Sequence, residues 1–318
     1  MTEHPPLSPE EAAEILKISK YTLYALIKRG EIPSRRIGRK IRIDYDSLMA
    51  YLQGDPNKKH SSENIEVHPN IPSKNFLRFV GSNDFTIELL SQFLSYSASN
   101  FELEVYFKGS MEGLIALYHR EAGITGIHLW DEESKEYNLP FINRLLPYED
   151  LTVINLAQRV QGFIFDSENP LSINSWEDIT KKEIRLINRQ KGSGTRLRLD
   201  QYLFEHGIPS NQIQGYNNEE NTHLGVALKI ANGEANIGIG VQAAAQRMGL
   251  GFVPLFKERF DLVILRETTS RPEWQKILSI LNSTTFHKAI EQQKGYDASL
   301  TGQIIFETAN INVHTRKK

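Results

Sequence analysis

Ile187-Asn188-Arg189-Gln190-Lys191-Gly192-Ser193-Gly194-Thr195-Arg196 is an apolar run feeding a glycine-hinged turn, and a helical pattern over 197–204 follows directly. A turn at the head of a helix leaves backbone N–H groups unpaired at the positive end of the helix dipole. Ser193 and Thr195 add two hydroxyls there. The stretch reads either as an anion cradle or as an ordinary strand-to-helix turn in which the two hydroxyls only cap. It is not a nucleotide P-loop, because the Gly-x-x-x-x-Gly-Lys-Ser/Thr spacing is missing.

The same strand, turn and helix pattern recurs upstream. An apolar strand over 76–80 ends in Gly81-Ser82-Asn83-Asp84 before a helix over 85–95, and a second over 103–107 ends in Lys108-Gly109-Ser110 before a helix over 111–120. A third strand covers 124–129. Such alternation marks an α/β domain with mainly parallel strands, whose ligands sit beyond the carboxyl ends of the strands. Ser82, with its neighbour Asn83, and Ser110 should then line one wall of a crevice. Each serine alone reads as a helix cap, but together with Ser193, Gly194 and Thr195 the three loops argue for convergence on one ligand.

Beyond residue 150 the pattern changes lobe. Residues 151–165 read as paired extended segments crossing to a second lobe, Ser175 opens a helix, 184–188 is the strand leading into the opening motif, and Thr222 caps a helix over 223–231. A strand over 236–240, a helix over 241–248, a returning strand over 260–265 and two closing helices near 271–281 and 285–293 complete the chain. The expected division is lobe I over 76–155 and 266–318, and lobe II over 156–265. Arg159, Gln161 and Arg196 could add donors to the cleft, Arg196 reading equally as a salt bridge to an acidic neighbour on its helix. His128 lies where the third strand meets the cleft. Glu219 and Glu220 would repel an anion and read as solvated.

Composition narrows the chemistry. The 318 residues, 40% hydrophobic and 24% charged, are enough for about two domains with ample core. With no cysteine, a disulfide framework, a thiolate zinc site and a cysteine nucleophile are all excluded. His60 and His68 lack a second ligand at metal spacing, so no metal and no cofactor is expected. Asp84 and His128 are the only acid/base pair in view, and without a nucleophile or paired carboxylates at a mechanistic spacing an enzyme is not expected. No secretory signal or membrane-length apolar run is present, so a cytoplasmic location is expected.

The charge is uneven. Residues 1–60 hold 11 Lys/Arg against 8 Asp/Glu, leaving 26 against 31 for the rest, and a basic segment of this kind suits a polyanion. Ser8-Pro9-Glu10-Glu11 is a helix start with a capping box, and a second helix over 20–29 follows a very short turn and stops at Gly30. Leu23, Leu26 and Ile27 share its inward face. Ser19, Lys20, Tyr21, Thr22, Tyr24 and Lys28 are the set that a recognition helix presents to base edges. The run over 32–43 then alternates apolar and basic residues about a Gly-Arg turn, as a β-hairpin wing would. Arg35, Arg36, Arg39, Lys40 and Arg42 point to phosphates.

The run over 7–52 resembles the excisionase-type, MerR-like winged helix-turn-helix in its Ser-Pro-Glu-Glu-Ala-Ala start, Ile-Ser-Lys-Tyr-Thr-Leu-Tyr turn, Gly-Glu-Ile-Pro exit and Arg-Ile-Gly-Arg-Lys-Ile-Arg-Ile wing. Residues 76–305 resemble the type-two periplasmic-binding-protein-like domain found fused to helix-turn-helix regulators. The resemblance rests on Gly-Ile-His-Leu-Trp-Asp (126–131), Asn-Leu-Ala-Gln-Arg-Val-Gln-Gly (155–162), Gly-Ser-Gly-Thr-Arg (192–196) and Gly-Tyr-Asp-Ala-Ser-Leu-Thr-Gly (295–302). Together they imply a mainly α winged helix-turn-helix over 1–54, a linker over 55–75 and a two-lobed α/β ligand-binding domain over 76–318. The implied function is a one-component regulator that binds double-stranded DNA as a homo-oligomer, dimer or higher, away from any membrane. The implied effector is an oxyanion, molybdate or tungstate first, with another small anionic metabolite as the alternative.

Overall fold

Ser8 and Glu11 close the expected capping box: Ser8 N and Oγ donate to Glu11 Oε2 at 2.7 and 2.8 Å, and Glu11 N donates back to Ser8 Oγ at 3.3 Å. Helix α1 (Pro9–Leu16) follows. In this computed structural model the described residues are 6–16, 23, 27, 32–37, 40–45, 48–49, 75–96 and 101–308. Contacts divide the chain into two units, Met1–Ile71 and Pro72–Lys318.

In the first unit, β1 (Ser34–Ile37) and β2 (Lys40–Ile43) form an antiparallel hairpin with Arg35 opposite Arg42. Ile43, fully buried, joins Ala12, Ala13, Leu23, Ile32 and Leu48 in a small core. Leu7 and Ile43 exchange backbone hydrogen bonds at 2.8 and 2.9 Å, tying the start of the segment to the wing. Ser19, Lys20, Tyr21, Thr22, Tyr24, Lys28 and Arg39 lie outside the described residues, as do the side chains of Arg35, Arg36 and Lys40 and the linker residues His60 and His68.

The second unit opens with β3 (Asn75–Gly81), α2 (Phe85–Tyr96), β4 (Phe101–Phe107), α3 (Ser110–Tyr118) and β5 (Ile124–Ile127), then a small hairpin of β6 (Trp130–Asp131) and β7 (Glu136–Tyr137) and helix α4 (Leu139–Leu145). A 15-residue strand, β8 (Leu151–Phe165), leads to β9 (Leu186–Arg189), α5 (Gly194–Glu205), β10 (Glu219–Glu220), α6 (His223–Ala231), β11 (Ile237–Val241) and α7 (Gln242–Arg247). A second 15-residue strand, β12 (Gly251–Leu265), returns to α8 (Pro272–Leu281), α9 (Thr284–Glu291), β13 (Tyr296–Asp297) and β14 (Ile304–Glu307).

The ten-stranded sheet runs β10-β9-β11-β8-β12-β5-β3-β4, with β13 and β14 also paired to β8. Its outer strands are parallel, as expected, but β8 and β12 are antiparallel to each other, and β8 is antiparallel to β11 and β12 to β5. The sheet is therefore mixed. Residues 151–165 are a single strand rather than paired segments, and 260–265 is only the end of one. Both strands run through both lobes: β8 is buried on two faces along nearly its whole length, whereas β12 is mostly buried only from Glu258 onward and is partly exposed over 251–257. β8 pairs with β14 at its beginning and with β11 at its end, so its neighbours change midway. The register of β12 against β8 also slips there, between Pro254 and Phe256 and between Phe260 and Asp261.

Three cores flank the sheet. Phe79, Leu262 and Ile264 face α2, α8 and α9 on one side, in a cluster that continues beneath α6 and α7. Val80 and Val263, one residue over, face α3 and α4. Phe163 and Ile239 face α5. The closing helices do fold back on lobe I: Phe286 meets Phe93 of α2 edge to face at 5.3 Å. Among the described residues no helix is long and apolar enough to cross a membrane.

Candidate ligand site

The strand ends β3, β4, β5 and β9 converge where the two lobes meet. Ser82 Oγ and Ser110 Oγ, after β3 and β4, are hydrogen-bonded at 2.8 Å, and Ser110 Oγ also accepts from His128 N at 3.2 Å. From the other lobe, Met111 N donates to Gly192 O at 3.1 Å, and Thr195 Oγ1 donates to Gln161 Oε1 at 3.0 Å. Gly192 holds φ at +81°, a left-handed turn that delivers Ser193 to the head of α5. There Ser193 Oγ accepts from Arg196 N at 3.2 Å, so its hydroxyl serves as the helix cap. The lobes are closed on each other, and Ser82, Asn83, Ser110, His128, Arg159, Gln161, Ser193, Gly194, Thr195 and Arg196 are all buried.

Arg159 on β8 is the hub. Its Nε donates to Glu258 Oε1 at 2.5 Å, its Nη1 to Asp84 Oδ2, and its guanidinium lies over the Phe260 ring at 4.6 Å. Glu258 stands directly across from it on β12 and also accepts from Gln161 Nε2 at 2.6 Å. Tyr296, from the far end of the chain, donates to Asp84 Oδ2 at 2.6 Å. Burial opposes the charged Arg159, but Glu258 and Asp84 outweigh it and raise its pKa. Burial likewise opposes an ionised Glu258, yet Arg159 and His128 bring that carboxyl down to about 2. One donor is left over: Arg159 Nη2 is buried and has no partner among the described residues.

The opposite wall carries a second buried arginine. Arg189, at the end of β9, donates to His223 Nδ1 at 2.9 Å and to the carbonyls of Glu220 and Asn221 at 3.2 and 3.0 Å. No side-chain carboxylate lies within hydrogen-bonding reach of it among the described residues. Burial, reinforced by the nearby charge of Arg159, lowers its pKa to about 9, so it remains a cation at neutral pH. His223, the first residue of α6 after the Thr222 cap, is buried, and its Nε2 has no partner among the described residues. Burial and Arg189 hold its pKa well below the ordinary histidine value.

The structure thus brings Ser82, Ser110, His128, Arg159, Gln161, Gly194 and Thr195 into one cluster. Arg196 is turned elsewhere. Its Nε is paired with Asp200 at 3.0 Å, its Nη1 reaches Glu219 and Arg189 O, both at 3.2 Å, and its guanidinium stacks over Tyr216 at 4.1 Å. It braces the turn, and Glu219, expected to be solvated, is part of that brace. Asn83 packs at the head of α2 beside Glu88. Asp84, paired in the sequence with His128 as an acid/base couple, is occupied by Arg159, Tyr296 and Thr86, and His128 Nδ1 bonds to Glu258 Oε2 at 3.0 Å instead. Sequence reasoning missed Arg189, His223 and Glu258. Arg189 was legible as a charge closing an apolar strand, and His223 as the residue after a capping threonine. Among the described residues no cluster of His, Asp or Glu is arranged to hold a metal.

Two closed lobes joined by long antiparallel strands, with unsatisfied donors between them, define a two-lobed ligand-binding module. The profile of the PBP superfamily domain matches residues 91–282, and that of a helix-turn-helix domain matches residues 6–56. The chain therefore belongs to the PBP superfamily domain family, joined here to a helix-turn-helix domain. It is 32% identical over 318 residues to the uncharacterized protein YvgK of Bacillus subtilis (strain 168), covering 97% of this chain and 100% of that one. It is also 39% identical over 114 residues to a Clostridium pasteurianum protein described as uncharacterized and lying in the 5′ region of a 2Fe-2S ferredoxin gene, covering 34% of this chain and 97% of that one. Among solved structures, a phosphate-bound substrate-binding protein from Clostridium perfringens, described as a putative phosphate ABC transporter component, superposes with a TM-score of 0.52. It is 14% identical and covers 70% of this chain and 99% of that one.

Proposed function

We propose that the protein is a cytoplasmic, ligand-responsive transcriptional regulator: the helix-turn-helix unit binds operator DNA, and the two-lobed unit closes on a small tetrahedral oxyanion. The observation that carries this reading is the set of donors left unsatisfied between closed lobes. Among the described residues, a buried Arg159 Nη2 and a buried His223 Nε2 have no acceptor, and Arg189 has no carboxylate partner. Buried donors and charges of this kind are costly unless something accepts them. Molybdate and tungstate, the effectors implied by the family resemblance, and phosphate or sulfate all share the required shape. The full use of Asp84 and Glu258 in holding Arg159 and His128 supports binding over catalysis.

Closure on the ligand would shift the DNA-binding equilibrium by the ligand's difference in affinity for the open and closed forms. The wing residues Arg35, Arg36, Arg39, Lys40 and Arg42 would contact phosphates in a homo-oligomer on DNA. Calorimetric titration of the full chain with each oxyanion, beside gel-shift assays of duplex DNA with and without it, tests both halves. The expected result is a saturable oxyanion signal and a DNA affinity that moves with it. No signal from any oxyanion, or DNA binding indifferent to all of them, would sink the reading.

A further inference from the structure

Among the described residues two histidines are buried, His128 and His223, and they are held in opposite tautomers. Arg189 can only donate, so the His223 Nδ1 that it touches at 2.9 Å carries a lone pair, and the neutral ring's proton sits on the unpartnered Nε2. At His128 the roles reverse. Glu258 is an ionised carboxylate and can only accept, so Nδ1 carries the proton, and in the neutral ring Nε2 keeps the lone pair. His128 Nε2 makes no hydrogen bond to a described residue.

The two rings belong to one site. His128 N–H bonds Ser110 Oγ, and the Nδ1 and Cε1 edge of the ring lies against Gly194. His223 Nδ1 lies over Gly240, which is paired with Gly162, next to Gln161 on β8. The groups that the rings and the turns beside them offer a ligand are therefore several donors and, on the rings, one acceptor, with Glu112 Oε2 against Gly192 a further acceptor that has no partner among the described residues. The donors are Arg159 Nη2, His223 Nε2 and the one hydroxyl proton that the Ser82 and Ser110 pair does not use internally. The ring acceptor is His128 Nε2.

We propose, building on the oxyanion reading above, that the ligand is an oxyanion that carries a proton of its own at neutral pH, of the hydrogen-phosphate type, donated to His128 Nε2. Fully deprotonated oxyanions such as sulfate, molybdate and tungstate would set a lone pair against a lone pair there. They bind only when His128 takes up a proton. The charges facing His128 are Glu258 on β12, Arg159 on β8 and Arg189 on β9, with burial dominating and keeping the ring neutral. This selection differs in kind from size: sulfate and phosphate match in shape and differ in the proton. Sites built to hydrogen-bond a ligand hydroxyl reject analogues lacking it by large factors, on the order of a hundredfold or more.

Isothermal titration of the full chain at pH 7.5 with inorganic phosphate, sulfate and molybdate, repeated at pH 5.5 and in buffers of different ionisation enthalpy, tests the idea. Phosphate should bind roughly a hundredfold tighter than sulfate or molybdate at pH 7.5. The gap between phosphate and sulfate should narrow at pH 5.5, with about one proton taken up when sulfate binds. Sulfate or molybdate binding as tightly as phosphate at pH 7.5 without proton uptake would overturn the proposal and leave the oxyanion reading standing. Binding of none of the three would overturn both.

Discussion

Gly194 and His128 meet across the closed lobes with no room for one methyl group. A Cβ on Gly194 would stand 2.3 Å from the His128 carbonyl oxygen and 2.6 Å from its Nδ1. Because the nearest atom is backbone, it cannot swing aside. Gly194→Ala should leave each lobe folded while preventing full closure. Overpacking of this kind costs roughly 1–3 kcal/mol, about a ten- to hundredfold loss of oxyanion affinity. Titration calorimetry measures the loss, and small-angle scattering should find a more open form; wild-type affinity would show that closure does not bring these two residues together.

Arg159 neutralises two buried carboxylates at once. Arg159→Met should lower unfolding free energy by about 3–5 kcal/mol in urea, because Asp84 and Glu258 are then left as uncompensated buried charges. Adding Asp84→Asn and Glu258→Gln to the same chain should recover much of that stability without recovering oxyanion binding. Recovery of both would assign Arg159 a structural role alone.

Stability should fall on acidification in two separate windows. The pKa values of His128 and His223 are lowered in the folded state, so the unfolded chain binds more protons below about pH 6.5. Their contribution is complete above that pH and is lost as pH falls below it. Glu258, lowered from 4.5 to about 2, contributes above pH 4.5 and loses that contribution as pH falls toward 2. Melting curves between pH 7.5 and 5.5 should slope downward in wild type and slope less in His223→Gln; equal slopes would mean that His223 titrates normally.

Glu112 works against closure. Its Oε2 is buried without a partner among the described residues, and its carboxylate lies against Gly192, so closely that a Cβ there would be 2.2 Å from Oε2. Glu112→Gln removes the charge while keeping the shape, and should raise oxyanion affinity by roughly tenfold, the scale of one unsatisfied buried polar group. Calorimetry decides it, with a weaker-binding variant counting against a strained carboxylate.

Much of the fold was legible because local signals and the structure agree. Ser8 with Glu11, Thr222 and the Gly-Ser turns each stand at the helix start that their chemistry predicts. The placing of Ser82, Ser110 and Thr195 on those turns was legible for the same reason. Long-range partners were not legible. Arg159 meets Asp84 across 75 positions and Glu258 across 99, and nothing in the local pattern of Lys257-Glu258-Arg259 distinguishes a buried carboxylate from a solvated one. Arg196 was legible only in part: its pairing with an Asp four residues on was visible, but Tyr216 and Glu219, which complete its socket, come from a distant loop.

The long strands also set an order of assembly. β3, β4 and β5 leave the ribosome before the rest of the sheet and can pair among themselves, but the strand on the other edge of β5 is β12, more than a hundred residues later, and β8 lacks its β13 and β14 neighbours until they too are made. Lobe I therefore cannot be completed while the chain is being made, and its half-built apolar sheet must wait for lobe II to form and for β12 to return. A helix-turn-helix unit with its own small core has no such dependence. For part of each synthesis cycle the DNA-binding segment can therefore be folded while the ligand-sensing half is not yet able to sense.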